Sequence, residues 1–129
     1  MLRKILFIAI FLICITAFIG KETAFAVTAE ENYKFYCAQC HGMDGKGEGA
    51  NAKPKAVGID LPEMSVTPRN HTSPEDMNKL TDTDIENAIS GGGASVSKST
   101  IMPPWGKTLT DAEIKDLTAY LRKLCKCKG

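Results

Sequence analysis

Two cysteines and a histidine within five residues constrain this chain more than any other feature of its sequence. Cys37, Cys40 and His41 occupy positions i, i+3 and i+4 of a predicted helix, and such positions share one helix face. The helix is predicted over residues 29–41, because Thr28 and Glu31 are spaced as in a capping box. A chain with two thiols and an imidazole on one face must fold around whatever these groups bind.

The C-x-x-C-H spacing is the pattern by which haem is attached to a polypeptide. The two sulfurs add to the vinyl groups of haem, and the adjacent imidazole nitrogen binds its iron. His41 must be neutral to bind a metal, and we expect its second ring nitrogen to donate to a backbone carbonyl of the following loop, near Pro54. The motif therefore predicts one covalent haem c held by Cys37 and Cys40, with His41 as an iron ligand.

Two other chemistries use cysteine pairs of this kind. A thioredoxin-type redox dithiol needs a βαβ context, which this sequence lacks. A plain disulfide between the two cysteines needs no such context. A zinc site would have to recruit Cys125 or Cys127 and would also have to account for His41.

The rest of the chain predicts helices joined by long loops. Glycines and prolines interrupt residues 42–74, so no window there is long enough for regular structure. Thr81 and Asp84 would cap a short helix that ends at residues 91–93, three glycines best interpreted as a helix stop and flexible linker. After a loop over 94–108, Thr110 would cap a last helix. Its apolar positions repeat at helical spacing: Ile114, Leu117, Leu121 and Leu124. With no credible strand, the predicted fold class is all-α, with about three to five helices.

The first 26 residues predict a cleaved secretory signal peptide. A basic pair precedes an apolar run over residues 5–19, and a small-x-small pattern ends at Ala26. Cleavage there would discard Cys14 and leave a single domain of residues 27–129. An uncleaved N-terminal anchor is the alternative. We therefore expect an exported protein, in the periplasm or an equivalent extracytoplasmic compartment, without a membrane span in the mature chain.

Length and charge exclude several classes of protein. The chain has 129 residues, room for one domain, and its 43% apolar and 24% charged residues are typical of a globular protein. The net charge is +1, and removal of residues 1–26, with three basic side chains and one acidic, gives −1. This is far from the clustered basic excess of nucleic-acid-binding proteins.

A haem iron bound by one histidine leaves the opposite position for a second ligand, and a methionine sulfur suits it. Met102 is the favoured candidate, because the two prolines that follow it stiffen its backbone. His71 is a nitrogen rival, and Met64 or an open site is the other alternative. Met43 is too close in sequence to the first ligand to reach the opposite face, and Met77 suits a core or surface role on a short helix.

Two further features have less direct interpretations. Trp105 is best explained as core packing beside the haem. The tail, residues 124–129, carries Cys125 and Cys127, which could form a disulfide, remain free, or take part in metal binding or intermolecular linkage.

Taken together, these segments resemble the class I monohaem c-type cytochromes over nearly all of residues 30–124. The matching pieces are Tyr33 four residues before Cys37, then CAQCHG followed by DGKGEG, LTDTDIENAISGG and IMPPWGKTLTDAEIKDLTAYLRKL. One departure is Ala50, where relatives often carry proline, so the resemblance does not fix the partner of His41.

The resemblance implies a small electron carrier. Its first and last helices would cross, with Tyr33 and Tyr36 against Leu117, Tyr120 and Leu121, and haem would lie between that pair and the Met102 loop. It would exchange single electrons with redox partner proteins as a monomer or weak dimer, and it would not be an enzyme. The alternative is a small haem sensor or catalytic haem protein with a labile sixth ligand.

Overall fold

The computed structural model describes residues 27–128, and every regular element within this range is helical. The predicted signal peptide, including Cys14, and the last residue lie outside the described residues. None of the described helices is long and apolar enough to cross a membrane. The helices are α1 (residues 29–41, comprising Ala29–Asn32, Tyr33–Cys37 and Ala38–His41), a 3₁₀ helix Pro54–Val57, α2 (Pro74–Met77), α3 (Asp82–Ser95) and α4 (Asp111–Cys125). The all-α prediction is confirmed.

Capping boxes begin α1, α3 and α4, as the sequence predicts. In each, a threonine side chain accepts a hydrogen bond from a backbone N–H three residues on, and the carboxylate there accepts one from the threonine backbone. These reciprocal bonds satisfy donors that a helix start otherwise leaves unpaired. The pairs are Thr28 with Glu31, Thr81 with Asp84, and Thr110 with Glu113.

A π-helical segment interrupts α1 directly before its C-terminal turn. Tyr33–Cys37 has π geometry, and the Ala38 N–H donates to the Tyr33 carbonyl. The wider turn holds an extra residue, which rotates Cys37 and the residues after it relative to the first turn of the helix. π segments inside α-helices occur frequently at functional sites. The sequence did not predict this one, since no residue type marks it.

Helix α4 is the central element of the core. It packs against α1, α2 and α3, and the Tyr33 and Tyr120 rings lie 5.3 Å apart where α1 meets α4. This contact agrees with the crossing of first and last helices that the resemblance implies. The buried apolar residues are Tyr33, Ala38, Met77, Ile85, Ile89, Leu109, Ile114, Leu117, Leu121 and Cys125.

Arg122 ties α4 to the segment between α2 and α3. Its Nη1 donates to the Met77 carbonyl at 2.9 Å and its Nη2 to the Leu80 carbonyl at 2.7 Å, while Nε lies 2.8 Å from an Asp82 carboxylate oxygen. The side chain is only 10% exposed, and these acceptors satisfy its buried guanidinium donors.

The cysteine tail continues the last helix. Cys125 is the final residue of α4 and is 1% exposed. A disulfide joins it to Cys127, with 5.1 Å between the Cα atoms. Lys126 between them has the left-handed backbone conformation, with φ 52°. The bridge thus spans the turn that ends α4.

Candidate cofactor site

A cavity of about 840 Å³ lies between the helices and the long loops. Its lining includes Cys37, Cys40 and His41 from the end of α1, and Met102 and Trp105 from the loop between α3 and α4. Its volume lies within the range of about 300 to 1,000 Å³ typical of ligand and cofactor sites. The predicted site residues therefore share one cavity. Trp105 also packs on Tyr36, with ring centroids 5.0 Å apart.

Both cysteines of the motif are free and half-buried on the cavity wall. Burial, with a smaller effect of Cys40, raises the pKa of the Cys37 thiol to about 12. No group of three or more His, Cys, Asp or Glu side chains within residues 27–128 could hold a metal ion, so the zinc interpretation gains no support.

The His41 ring is oriented by a hydrogen bond from its edge. Nδ1 lies 3.0 Å from the Arg69 carbonyl oxygen, and because a carbonyl can only accept, Nδ1 carries the proton. Burial also lowers the pKa of His41, which favours the neutral ring. In a neutral imidazole protonated at Nδ1, Nε2 keeps its lone pair and can bind a metal.

The partner of His41 lies in the long loop, as expected, but the expected position near Pro54 is wrong. The loop that follows α1 packs against residues 68–71, since the backbone N–H of His71 donates to the Gly45 carbonyl at 2.7 Å. A Cβ on Gly47, where φ is +83°, would lie 2.5 Å from the Pro68 carbonyl oxygen. Glycine at this position permits the close approach that brings the Arg69 carbonyl to the ring.

The chain matches the family model described as Cytochrome c over residues 26–125. The chain belongs to the cytochrome c family. Among solved structures, the KustC0563 c-type cytochrome matches with a TM-score of 0.54 at 23% sequence identity, covering 76% of this chain and 98% of that one. This likeness supports the fold. A comparison with curated protein sequences finds no significant match.

The residues of this cytochrome fit the haem c that its family carries. The cavity has room for a large cofactor, both motif thiols are free on its wall, and His41 has Nε2 available beside them. Cys37 and Cys40 would hold the haem through thioether bonds, and His41 would bind its iron.

The candidate sixth ligands occupy different environments. Met102, Met64 and Met77 line the cavity, although Met77 is only 1% exposed within the core. Met43 is 63% exposed and is not among the lining residues. His71 also lines the cavity, but its ring is stacked on that of His41, with 4.1 Å between centroids and 16° between planes. Two rings stacked this closely have no room for a porphyrin plane between them.

The glycines at the end of α3 hold the Met102 segment in place. The Gly93 N–H donates to the Met102 carbonyl at 3.1 Å. A Cβ on Gly92 would lie 2.8 Å from that oxygen, and a Cβ on Gly93 would overlap the Ser99 carbonyl oxygen. Gly92, with φ 75° and ψ 178°, does break the helix as predicted. The interpretation of these glycines as a flexible linker is wrong, because their backbone packs against the loop that carries Met102.

Two residues of the site were not predicted in their observed roles. Arg69 contributes only a backbone carbonyl, which no side-chain pattern in the sequence signals. The sequence offers His71 as an iron ligand, whereas in the structure its ring contacts the face of His41. The one sequence signal for this role is that His71 lies two residues after Arg69. The segment that brings the Arg69 carbonyl to the His41 ring also brings His71 close to that ring.

Proposed function

We propose that this cytochrome is an exported one-electron carrier with a single haem c, held by Cys37 and Cys40 and bound axially by His41 and Met102. The observation that carries the proposal is the hydrogen bond from His41 Nδ1 to the Arg69 carbonyl. It leaves Nε2 free on the wall of the cavity that Met102 shares.

The backbone around Met102 favours it over Met64. Besides the bond from Gly93, the chain after Met102 is tied to α3 by the Trp105 N–H donating to Ile89 and the Gly106 N–H donating to Ser90, each at 2.9 Å. Met64 is tied to another loop residue and not to a helix, since its N–H donates to the Ala52 carbonyl at 3.0 Å. A ligand on a fixed backbone needs little rearrangement when the iron changes oxidation state.

A bound haem supplies one-electron exchange between Fe(II) and Fe(III). With His41 and Met102 on its two sides, the iron would have no vacant position for a substrate, so we propose a carrier and not an enzyme. The chain's own contribution is to fix both ligands and to exclude water from the cavity with apolar residues of α3 and α4.

We propose that an acidic face of a redox partner docks near Met102. Lys98 and Lys107 are both exposed, and no acidic residue lies between positions 91 and 109. Within the described residues neither lysine forms an ion pair, whereas four other lysines do. Weak redox encounters use small interfaces, so a local charge of this size suits a transient complex.

The predicted signal peptide of residues 1–26 supports export, and we propose cleavage after Ala26 and location in the periplasm or an equivalent compartment. The mass of the protein purified from its own compartment tests this, since a chain that retains residues 1–26 would contradict cleavage.

The visible spectrum of the purified protein, oxidised and reduced, tests the carrier proposal. We expect a six-coordinate c-type spectrum with the long-wavelength sulfur-to-iron charge-transfer band in the oxidised state, and no binding of CO by the reduced protein. Ready CO binding by the reduced wild-type protein would contradict closed axial ligation and favour a haem sensor or catalytic haem protein.

A further inference from the structure

The two histidines described in the structure lie face to face. The His41 and His71 rings are 4.1 Å apart between centroids and inclined by 16°. His71 is 8% exposed and belongs to the loop that supplies the Arg69 carbonyl. A buried aromatic ring parallel to the proposed haem ligand restricts how that ligand can rotate.

His71 is itself held from several directions. Its Nδ1 lies 3.3 Å from the Tyr33 hydroxyl, which donates to the Gly42 carbonyl, also at 3.3 Å. With that proton committed to Gly42, the His71 Nδ1–H donates to the hydroxyl oxygen. The Tyr33 ring meets His71 edge to face at 5.9 Å, and the backbone N–H of His71 donates to the Gly45 carbonyl at 2.7 Å. The His71 ring is therefore a fixed surface.

One short segment thus contacts His41 twice. Arg69 contributes the carbonyl at the edge of the imidazole, and His71 covers its face. Arg69 is anchored in turn, because its Nη1 donates to the Asp76 carbonyl of α2 at 3.3 Å. A single hydrogen bond at Nδ1 still allows the His41 imidazole to rotate about the N–H···O direction. The His71 ring stacked on its face prevents that rotation.

We propose that His71 is a positioning residue for His41, which fixes the rotation of the imidazole about its Cβ–Cγ bond and keeps its hydrogen bond to Arg69 in line. This inference rests on the proposed ligation by His41. A hydrogen bond from Nδ1–H to a carbonyl makes the imidazole a more basic ligand. A more basic ligand stabilises ferric iron, so His71 would keep the reduction potential lower than it would be with a freely rotating ring.

Three variants test the inference in the haem-loaded protein. His71→Ala removes the stacked surface, and His71→Phe keeps an aromatic ring of similar size without the polar edge. Thr118→Ala is a matched control. Thr118 is buried at 3% in α4, bonds only its own helix through the Ile114 carbonyl at 3.0 Å and does not line the cavity.

The readouts are the reduction potential and the electron paramagnetic resonance spectrum of the oxidised protein. For His71→Ala we expect a higher potential and a broader spread of g-values, because the His41 plane takes several orientations. His71→Phe should restore a narrow spectrum near that of the wild type. Thr118→Ala should lower stability without changing either readout.

Unchanged potential and g-values in His71→Ala would overturn the inference, and so would a His71→Phe variant that behaves like His71→Ala. If His71→Ala does not accumulate as folded protein, His71→Leu provides the test. It fills a similar volume without a flat ring over the His41 imidazole, and we expect the same direction of shift at smaller amplitude, whereas no shift would overturn the inference.

Failure of this inference and failure of the proposed function give different results. If the proposed function is wrong, the wild-type protein lacks the six-coordinate c-type spectrum. If only the role of His71 is wrong, that spectrum is present and the His71 variants share its potential and g-values.

Discussion

The His41 imidazole donates its Nδ1–H to the Arg69 carbonyl, 28 residues further along the chain, at 3.0 Å. This bond couples the C-terminal turn of α1 to a loop that has no regular secondary structure at that point. The loop is thus part of the site, since it selects the tautomer that leaves Nε2 available for iron. Loops of this length inside a small domain usually have such a role.

Replacement of Met102 should open the iron without releasing the haem. In Met102→Ala the thioether bonds of Cys37 and Cys40 remain, so the pigment stays attached. Axial ligands set the reduction potential of haem over a range of about 0.8 V. Loss of the sulfur should lower the potential by on the order of 0.1 V. The reduced variant should bind CO. Potentiometry and CO titration measure both effects.

Met64→Ala is the matched control for Met102→Ala, because both side chains are half-buried and line the same cavity. We expect this variant to keep the wild-type potential and to exclude CO. If Met64→Ala opens the iron and Met102→Ala does not, the sixth ligand is Met64.

A side chain at Gly93 should disturb the Met102 loop. In Gly93→Ala the new Cβ would overlap the Ser99 carbonyl oxygen, and relief of such overpacking costs about 1 to 3 kcal/mol. We expect a lower melting temperature together with a weaker sulfur-to-iron charge-transfer band. Gly58→Ala is the control, since the positive φ of 81° strains an alanine there while nothing lies within 4 Å of the added Cβ. It should lower stability and leave the band intact; an intact band in Gly93→Ala would refute the proposed packing role.

The capping boxes make stability depend on acidic pH. Hydrogen bonds from the Thr110 backbone and hydroxyl, each 2.8 Å long, lower the pKa of Glu113 from its ordinary value of 4.5. A carboxyl with a depressed folded-state pKa stabilises the fold above 4.5, and this contribution is lost as the pH falls through the folded-state pKa.

Glu113→Gln should therefore be less stable than the wild type at pH 7, and the difference should shrink as the solution is acidified below about 4.5. Urea unfolding across this pH range measures it. Asp116→Asn, which removes an exposed carboxylate from the middle of the same helix, is the control. A Glu113→Gln difference that is constant with pH would contradict the assigned pKa shift.

Glycine at position 126 should stabilise the end of α4. Lys126 has φ 52°, and two bonds close the turn: the Lys126 N–H donates to Lys123 and the Cys127 N–H to Arg122, both at 3.2 Å. This is the Schellman arrangement, in which glycine is usual at the left-handed position.

The left-handed conformation costs an L residue about 1 to 2 kcal/mol, which exceeds the loss of about 0.5 to 1 kcal/mol that glycine incurs through chain entropy. Lys126→Gly should raise the free energy of unfolding by about 0.5 to 1 kcal/mol, measured by urea denaturation with the disulfide intact. Lys128→Gly, beyond the turn, should give no increase. An equal or lower stability for Lys126→Gly would show that the position is not strained.

The helices of this protein could be predicted because their start signals are local. Three pairs of a threonine and an acidic residue three positions on are recognised from the sequence as capping boxes, and each of these three begins a helix in the structure: Thr28 with Glu31, Thr81 with Asp84, and Thr110 with Glu113. The π segment Tyr33–Cys37 could not be predicted, because no residue type or spacing within it signals π geometry.

The sequence predicts the residues of the site whose side chains would bind the haem, but not the backbone group and the packing contact that orient them. Cys37, Cys40 and His41 are adjacent in sequence, and Met102 has a distinctive context. The Arg69 carbonyl has no side-chain signature, and its position depends on glycines that let two loops approach closely. The role of His71 depends on the same approach, so a histidine that the sequence offers as a ligand lies instead against the face of His41.

Covalent attachment of haem through Cys37 and Cys40 is the central claim, and gel electrophoresis of the denatured protein tests it most directly. We expect haem to migrate with the wild-type polypeptide, and we expect no polypeptide-bound haem in the double variant Cys37→Ala with Cys40→Ala. Wild-type protein without bound haem after complete maturation, or full retention of haem by the double variant, would contradict the account.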